Sequence, residues 1–188
     1  LRTPLAALKT QAQVARGAAG DAERRRALDN VIAGCDRAHR LVEQLLTLAR
    51  LEPDQVGTHR EPCELRTLAQ QTIAELAPAA LSRNIEIELT EGVPVAIDGY
   101  PGLIGILLRN LIDNAIRYSP GGTTVRVEAA NTENAALLAV TDEGPGIAAE
   151  ERAKVGQRFY RILGSGQSGS GLGLSIVRRI AEIHGATV

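Results

Sequence analysis

The sequence contains no tryptophan and no methionine, and its aromatic side chains are one Phe and three Tyr. Any core must therefore be assembled from Leu, Ile, Val and Ala. Cysteine is as scarce. Cys35 and Cys63 are too few for a disulfide framework and do not form a metal-binding pattern, and a reducing cytoplasmic compartment suits them. No apolar run approaches the ~20 residues that a membrane-spanning helix needs, and none reads as a secretory signal. An excess of charge of either sign is also missing. The formal net charge is −1, and Lys and Arg are scattered rather than clustered, so no nucleic-acid footprint is expected. What remains is ample for folding: 44% of the 188 residues are apolar, enough for one or two modest domains.

Leu1-Arg2-Thr3-Pro4 enters helical patterning without a start signal, and Ala186-Thr187-Val188 resembles the opening of a strand. The expectation is a piece of a longer protein, cytoplasmic itself, with any membrane segment or sensor lying outside it.

Leu1, Leu5, Leu8, Ala12 and Ala15 recur at helical spacing, and Gly17-Ala18-Ala19-Gly20-Asp21 interrupts them as a turn. From about Ala22 to Leu51, Leu28, Val31, Cys35, Ala38, Val42, Leu45 and Ala49 alternate steps of three and four, a heptad seam. Ile32 and Leu46 flank it on one side and Leu41 and Leu48 on the other, which widens the stripe beyond a two-stranded coiled coil. Two hairpins forming a four-helix bundle would bury it, so a homodimer through residues 1–51 is expected. The alternative is that the stripe packs onto the rest of the same chain.

Pro53 to Pro62 reads as a linker, and mixed α/β patterning follows. Helices are predicted over Glu64–Leu81, Pro101–Tyr118 and Leu172–His184, the last stopped by Gly185. Strands are predicted over Asn84–Thr90, Val95–Ile97, Thr123–Ala130 and Ala135–Thr141, the last two as a hairpin. Residues 143–171, rich in Gly and Ser, read as a long loop. The predicted class is α+β: a helical hairpin over residues 1–52, a linker over 53–62, and an α/β sandwich over 63–188.

Three segments could build a nucleotide site. In Asn110-Leu111-Ile112-Asp113-Asn114-Ala115-Ile116-Arg117-Tyr118, the two Asn lie four apart on one helix face, with Arg117 one turn further on. Their amide oxygens suit a Mg²⁺ already bridged to phosphates, and the arginine suits the phosphates themselves. Two exposed asparagines on an amphipathic helix would look the same. Asp142-Glu143-Gly144-Pro145-Gly146-Ile147 follows an apolar strand, so a carboxylate there could accept from an adenine amino group while the glycines admit the base. A plain turn shares that composition. Gly169-Ser170-Gly171-Leu172-Gly173-Leu174 opens the last helix, where backbone N–H groups favour anions. It lacks the Gly-Lys-Ser/Thr ending of a Walker A loop, and no parallel βαβ unit follows it.

In this order, the three segments resemble the N, G1 and G2 boxes of the histidine-kinase catalytic domain, a member of the ATP-binding superfamily shared with gyrase, Hsp90 and MutL. Arg158-Phe159-Tyr160-Arg161 stands where that family has its F box, and Leu1-Arg2-Thr3-Pro4-Leu5 matches the tail of its H box, His-Glu-Leu-Arg-Thr-Pro-Leu. Within the family, Val155–Arg161 and Ile180–Gly185 look most like the QseC-type sensors. The resemblance implies that Asn110 and Asn114 hold Mg²⁺, that Arg117 touches phosphate and that Tyr118 packs beside the nucleotide. It implies that Asp142 recognises adenine and that Gly144, Gly146 and Ile147 line the base pocket. Gly169, Ser170, Gly171, Leu172 and Gly173 would sit by the triphosphate, and residues 148–171 would form the ATP lid.

The implied activity is ATP-dependent phosphorylation of a histidine ahead of Leu1, followed by transfer to an aspartate on a response-regulator receiver domain. Thr3 falls where the family places a residue that helps water attack that phosphoaspartate. The parent would sit in a bacterial inner membrane. Two departures stand out: the acceptor His and its acidic neighbour are not among these residues, and Gly156 replaces a common Phe. His39, His59 and His184 read as structural or solvated, so this chain alone is not expected to autophosphorylate. Two other readings stay open. An ATPase of the repair or chaperone type would share the boxes but lack the hairpin, and a dimeric scaffold could keep the pocket without catalysis. The dimer reading predicts twice the monomer mass in sedimentation at micromolar concentration; a monomer there would contradict it.

Overall fold

The structure, a computed structural model, describes residues 2–51, 59–162 and 169–188, with no side-chain description for residues 2–4. Leu1, most of the expected linker and the centre of the expected lid (163–168) lie outside the described residues. The chain divides into two compact units, Leu1–Arg50 and Leu51–Val188.

The first unit is a helical hairpin of α1 (Arg2–Gly17) and α2 (Asp21–Arg50). Asp21 and Glu23 in the first turn of α2 complement its dipole, and Arg24 bridges back to Asp21 at 3.0 Å while donating to the Ala18 carbonyl at 3.2 Å. The helices approach closely where Gly34 leaves room for Leu8; a Cβ on Gly34 would lie 2.5 Å from the Leu8 Cδ2. The predicted seam is divided by this packing. Val31, Ala38 and Leu45 are partly buried, while Leu28 (47% exposed), Cys35 and Val42 are exposed. Ile32 and Leu46, at 61% and 54%, extend the uncovered side of α2, and on α1 Leu5 and Val14 are exposed as well. A stripe wider than one helix can cover has two flanks, and the hairpin uses one of them.

The second unit is an α/β fold. A three-stranded sheet runs in the order β2 (Glu86–Leu89), β4 (Thr124–Asn131), β5 (Ala136–Thr141), with β2 parallel and β5 antiparallel to β4. Val125, Val127 and Ala129 alternate inward along β4. On the other face, Arg126 pairs across to Glu88 at 3.2 Å. Helices α3 (Leu65–Ser82) and α4 (Pro101–Tyr118) cover the inner face, and α6 (Gly173–Ile183) packs beside α4. The core joins Leu65, Ala69 and Leu76 of α3 to Ile104, Leu108 and Ile112 of α4 and to the inward residues of β4. The aliphatic core expected from the missing aromatics is what forms.

Two small elements were not expected. β1 (Glu61–Glu64) pairs antiparallel with β3 (Ala96–Gly99), and α5 (Ala149–Arg152) interrupts the long loop. Glu-Pro-Cys-Glu carries no alternating apolar pattern, because Cys63 is its one buried residue. Residues 186–188, expected to open a strand, form none.

Glu64 ties this region together. It caps α3, accepting from the Arg66 N–H at 3.0 Å and the Thr67 N–H at 2.5 Å, and it also accepts from the Val95 N–H at 3.1 Å. Burial pushes its carboxyl upward, but hydrogen bonds from Thr67, Val95 and Arg66 outweigh that and hold it at about 2. The ordinary value is about 4.3, so the carboxylate stabilises the fold fully above roughly pH 5 and loses that effect as pH falls toward 2. Glu64→Gln is expected to lower the melting temperature at pH 7, by the equivalent of about 1 kcal/mol, the usual scale of a lost cap. The gap between the two proteins should close in melts taken toward pH 2.

Candidate nucleotide site

The site is built on α4. Its apolar face, with Ile104, Leu108, Ile112 and Ala115 buried, is sunk in the core. That fixes the helix about its axis and turns Asn110, Asn114 and Arg117, each partly exposed, toward the start of α6. A Cβ on Gly173, the first residue of α6, would lie 3.1 Å from Asn110 Oδ1 and 3.6 Å from Asn114 Nδ2. A Cβ on Gly169 would lie 3.4 Å from an Arg117 guanidinium nitrogen. The first and third sequence segments therefore meet, and the glycines are what let them approach.

The orientation of the Asn110 amide follows from its partner. Its Nδ2 donates to the Ile106 carbonyl at 2.8 Å, an oxygen that can only accept, so Oδ1 faces the glycine turn. A neutral, hard oxygen in that position fits a Mg²⁺ carried on phosphates. Among the described residues no cluster of His, Cys, Asp or Glu could hold a metal without such a partner. Arg117 forms an ion pair with Asp113 at 2.5 Å, an i,i+4 partner that the sequence reading did not assign.

The second segment reaches the other end of α4. Gly144 packs on the carbonyl of Tyr118, where a Cβ would lie 3.1 Å from that oxygen and 2.6 Å from Asp142 Oδ1. Asp142 is exposed and accepts from the Gly144 N–H at 2.8 Å. Glu143 accepts from the Thr124 N–H at 3.1 Å, which anchors the turn to the start of β4. Gly146 has φ +72°, and Ile147 and Tyr118 are both exposed beside this turn. Asp142, Gly144 and Tyr118 thus share the C-terminal end of α4, while Asn110 and Asn114 lie nearer its middle.

The third segment is held by its own side chains. Ser170 accepts from the Leu172 N–H at 3.2 Å, Leu172 is fully buried, and the buried Ser175 hydroxyl donates to the Leu172 carbonyl at 2.7 Å. Gly171 has φ +71° and accepts through its carbonyl from the Phe159 N–H at 2.9 Å. The F-box segment is thereby bound to the glycine turn. The Tyr160 hydroxyl donates to the Glu151 carboxylate on α5, and this bond together with Lys154 holds the Glu151 carboxyl below its usual range. Arg178 of α6 fills the space beside Gly156, its Nε 2.0 Å from where a Cβ would stand. A larger residue at 156 would have to displace it. The side chain of Thr3 lies outside the described residues.

Gly171→Ala would force a left-handed backbone on a residue with a Cβ and drive that atom to 2.7 Å from the Phe159 carbonyl carbon. The cost should be about 1–3 kcal/mol, local to the turn. Faster hydrogen exchange at the Phe159 amide, with exchange at the β4 amides unchanged, is the expected result.

The chain matches two families. One is described as the His Kinase A (phospho-acceptor) domain, over residues 1–54. The other is described as the histidine kinase-, DNA gyrase B-, and HSP90-like ATPase, over residues 99–188. Sensor protein QseC of Salmonella typhi is 47% identical over 192 residues, covering 100% of this chain and 41% of the relative. The solved cytoplasmic segment of histidine kinase QseC is 36% identical with a TM-score of 0.53, covering 80% of each chain. The histidine kinase AdeS of Acinetobacter baumannii is 27% identical with a TM-score of 0.70, covering 97% of this chain and 85% of that one. The chain spans about two fifths of the length of the curated relatives it matches. With a helical hairpin ahead of an α/β ATPase-like fold, and with similarity of this extent to a solved kinase segment, the chain belongs to the sensor histidine kinase family.

Proposed function

We propose that this chain is the kinase core of a bacterial sensor: a stem over residues 1–52, a linker over 53–62 and an ATP-binding domain over 63–188. The observation that carries the reading is the approach of the glycine turn to the Asn pair, with Asn110 Oδ1 turned toward Gly173. ATP would lie between α4 and the turn that opens α6. Asn110 and Asn114 would hold Mg²⁺, whose charge would offset that of the phosphates, and Arg117 would stand at the phosphates. Asp142 would accept from the adenine amino group, with Tyr118, Gly144, Gly146 and Ile147 around the base. Gly169, Ser170, Gly171, Leu172 and Gly173 would border the triphosphate.

The acceptor would be the histidine that the family's H box places ahead of Leu1. Its imidazole nitrogen would form the P–N bond as the γ-phosphate's bond to ADP breaks, and the phosphoryl would then pass to an aspartate on a response-regulator receiver domain. Such transfers are governed by positioning and charge neutralisation, which agrees with a site made of amides, an arginine and glycines. Thr3 would orient water in the reverse, phosphatase direction. Homodimerisation through residues 1–51 would cover the exposed flank of the stem, where Leu28, Ile32, Val42 and Leu46 stand uncovered. Segments outside these residues would anchor the parent in the inner membrane.

The 188-residue chain should bind ADP in a Mg²⁺-dependent manner in calorimetry yet acquire no acid-labile phosphoryl group from labelled ATP. In the whole protein, Asn114→Ala should lower phosphotransfer to the regulator by roughly 10²-fold, the usual scale for losing one element of a charge-stabilising site. Unchanged phosphotransfer would point instead to a scaffold. Steady ATP hydrolysis without phosphohistidine would point to an ATPase of another class.

A further inference from the structure

His184, at the end of α6, makes two hydrogen bonds that set the roles of its ring nitrogens. Its Nε2 lies 3.0 Å from the backbone nitrogen of Tyr100, and its Nδ1 lies 2.7 Å from the Ile180 carbonyl oxygen. A backbone N–H can only donate and a carbonyl can only accept. In this arrangement Nε2 accepts from the Tyr100 N–H, and Nδ1 carries the proton it donates to the Ile180 carbonyl. No side chain on the N-cap residue Tyr100 caps α4, so this contact fastens the residue at which the helix begins. The surroundings are shaped for the ring. A Cβ on Gly99 would stand 2.8 Å from His184 Cδ2, and the Tyr100 ring meets the imidazole edge-on at 5.7 Å. Arg60 lies over the Tyr100 ring and donates to the Ile183 carbonyl at 2.8 Å.

The position of this contact matters for the site. α4 and α6 run antiparallel: the end of α6 meets the start of α4 through His184, and the start of α6 meets the middle of α4 through Gly173. From Gly173 to His184 the helix rises roughly 16 Å, and from Tyr100 to the Asn pair roughly 15–21 Å. The two contacts are matched ends of one span. A slide of α6 along α4 would have to break the imidazole bond to Tyr100 before it could move the glycine turn away from the asparagines.

We propose that His184 is a positioning residue for the nucleotide site: its Nδ1–H imidazole clamps the end of α6 to the start of α4 and so holds the glycine turn against Asn110 and Asn114. The role rests on the nucleotide-site reading above. It needs no contact between His184 and the ligand.

The test is made on the 188-residue chain with ADP and Mg²⁺ as the probe. Long-range ¹⁵N spectra should show the neutral His184 ring protonated on Nδ1, and the Tyr100 amide should exchange slowly. His184→Ala should weaken ADP binding roughly five- to tenfold, the size of one lost hydrogen bond, and speed exchange at the Tyr100 amide. His184→Gln, whose side-chain oxygen can accept from the Tyr100 N–H, should restore most of the affinity. If the Ala variant does not fold, Gly99→Ala serves in its place, since it crowds the ring while leaving the histidine in the chain, and the same loss of affinity is expected. A neutral ring protonated on Nε2 would overturn the clamp, as would a folded Ala variant that binds ADP like the parent. Failure of the parent chain to bind ADP at all would instead overturn the nucleotide-site reading.

Discussion

The seating of α4 is the constraint on which the rest depends. Its apolar residues, Ile104, Leu108, Ile112 and Ala115, are buried against α3 and the sheet. A helix held on that face cannot turn about its axis without exposing aliphatic surface, at a cost of about 25 cal/mol per Å². The rotation that keeps the core closed is the same one that directs Asn110 and Asn114 at Gly173. The C-terminal end of the helix, at Tyr118, receives Gly144 from the turn after β5. One packing decision therefore brings the three motifs together, although they are far apart in the sequence.

Glycine supplies the closeness of these approaches. At Gly144 and Gly173 a side chain would intrude on another element, and at Gly171 the backbone takes a left-handed conformation as well. The surrounding polar bonds then orient what the glycines admit. Ile106 sets the Asn110 amide, Ser170 meets the Leu172 N–H, and Glu143 anchors the Asp142 turn to β4. Arg117 is different, because its guanidinium already has the Asp113 carboxylate as a partner. A phosphate arriving there would share or compete for that contact.

The helical stem follows another rule. Its stripe is too wide for a single helix–helix contact, so the hairpin buries the flank near Gly34 and leaves Leu28, Ile32, Val42 and Leu46 exposed. Read as one seam, Leu28, Val31, Cys35, Ala38, Val42 and Leu45 are equivalent. In the structure Val31, Ala38 and Leu45 are partly buried while Leu28, Cys35 and Val42 are exposed, because the hairpin closes where Gly34 is small enough to admit Leu8. A periodic pattern records how many apolar positions there are, not which neighbour covers each.

Local chemistry was enough to reveal the long helices, the β4–β5 hairpin, the aliphatic core and the three motifs, since periodicity, glycine placement and paired amides are properties of short segments. The helix boundaries at Tyr118 and His184 were legible for the same reason: Pro120 and Gly185 follow closely. β1 was not legible, because a four-residue strand with one buried side chain owes its existence to β3, more than thirty residues away. The Arg117–Asp113 pair was visible as spacing but competed with other uses of an arginine. The setting of His184 was hidden altogether: a lone histidine at a helix end says nothing until the fold brings the Tyr100 N–H to it. The sequence by itself determined which residues could carry the chemistry. The tertiary structure decided which of them meet, because the rotation of α4 and the placement of α6 are set by burial over the whole unit and not by any segment alone.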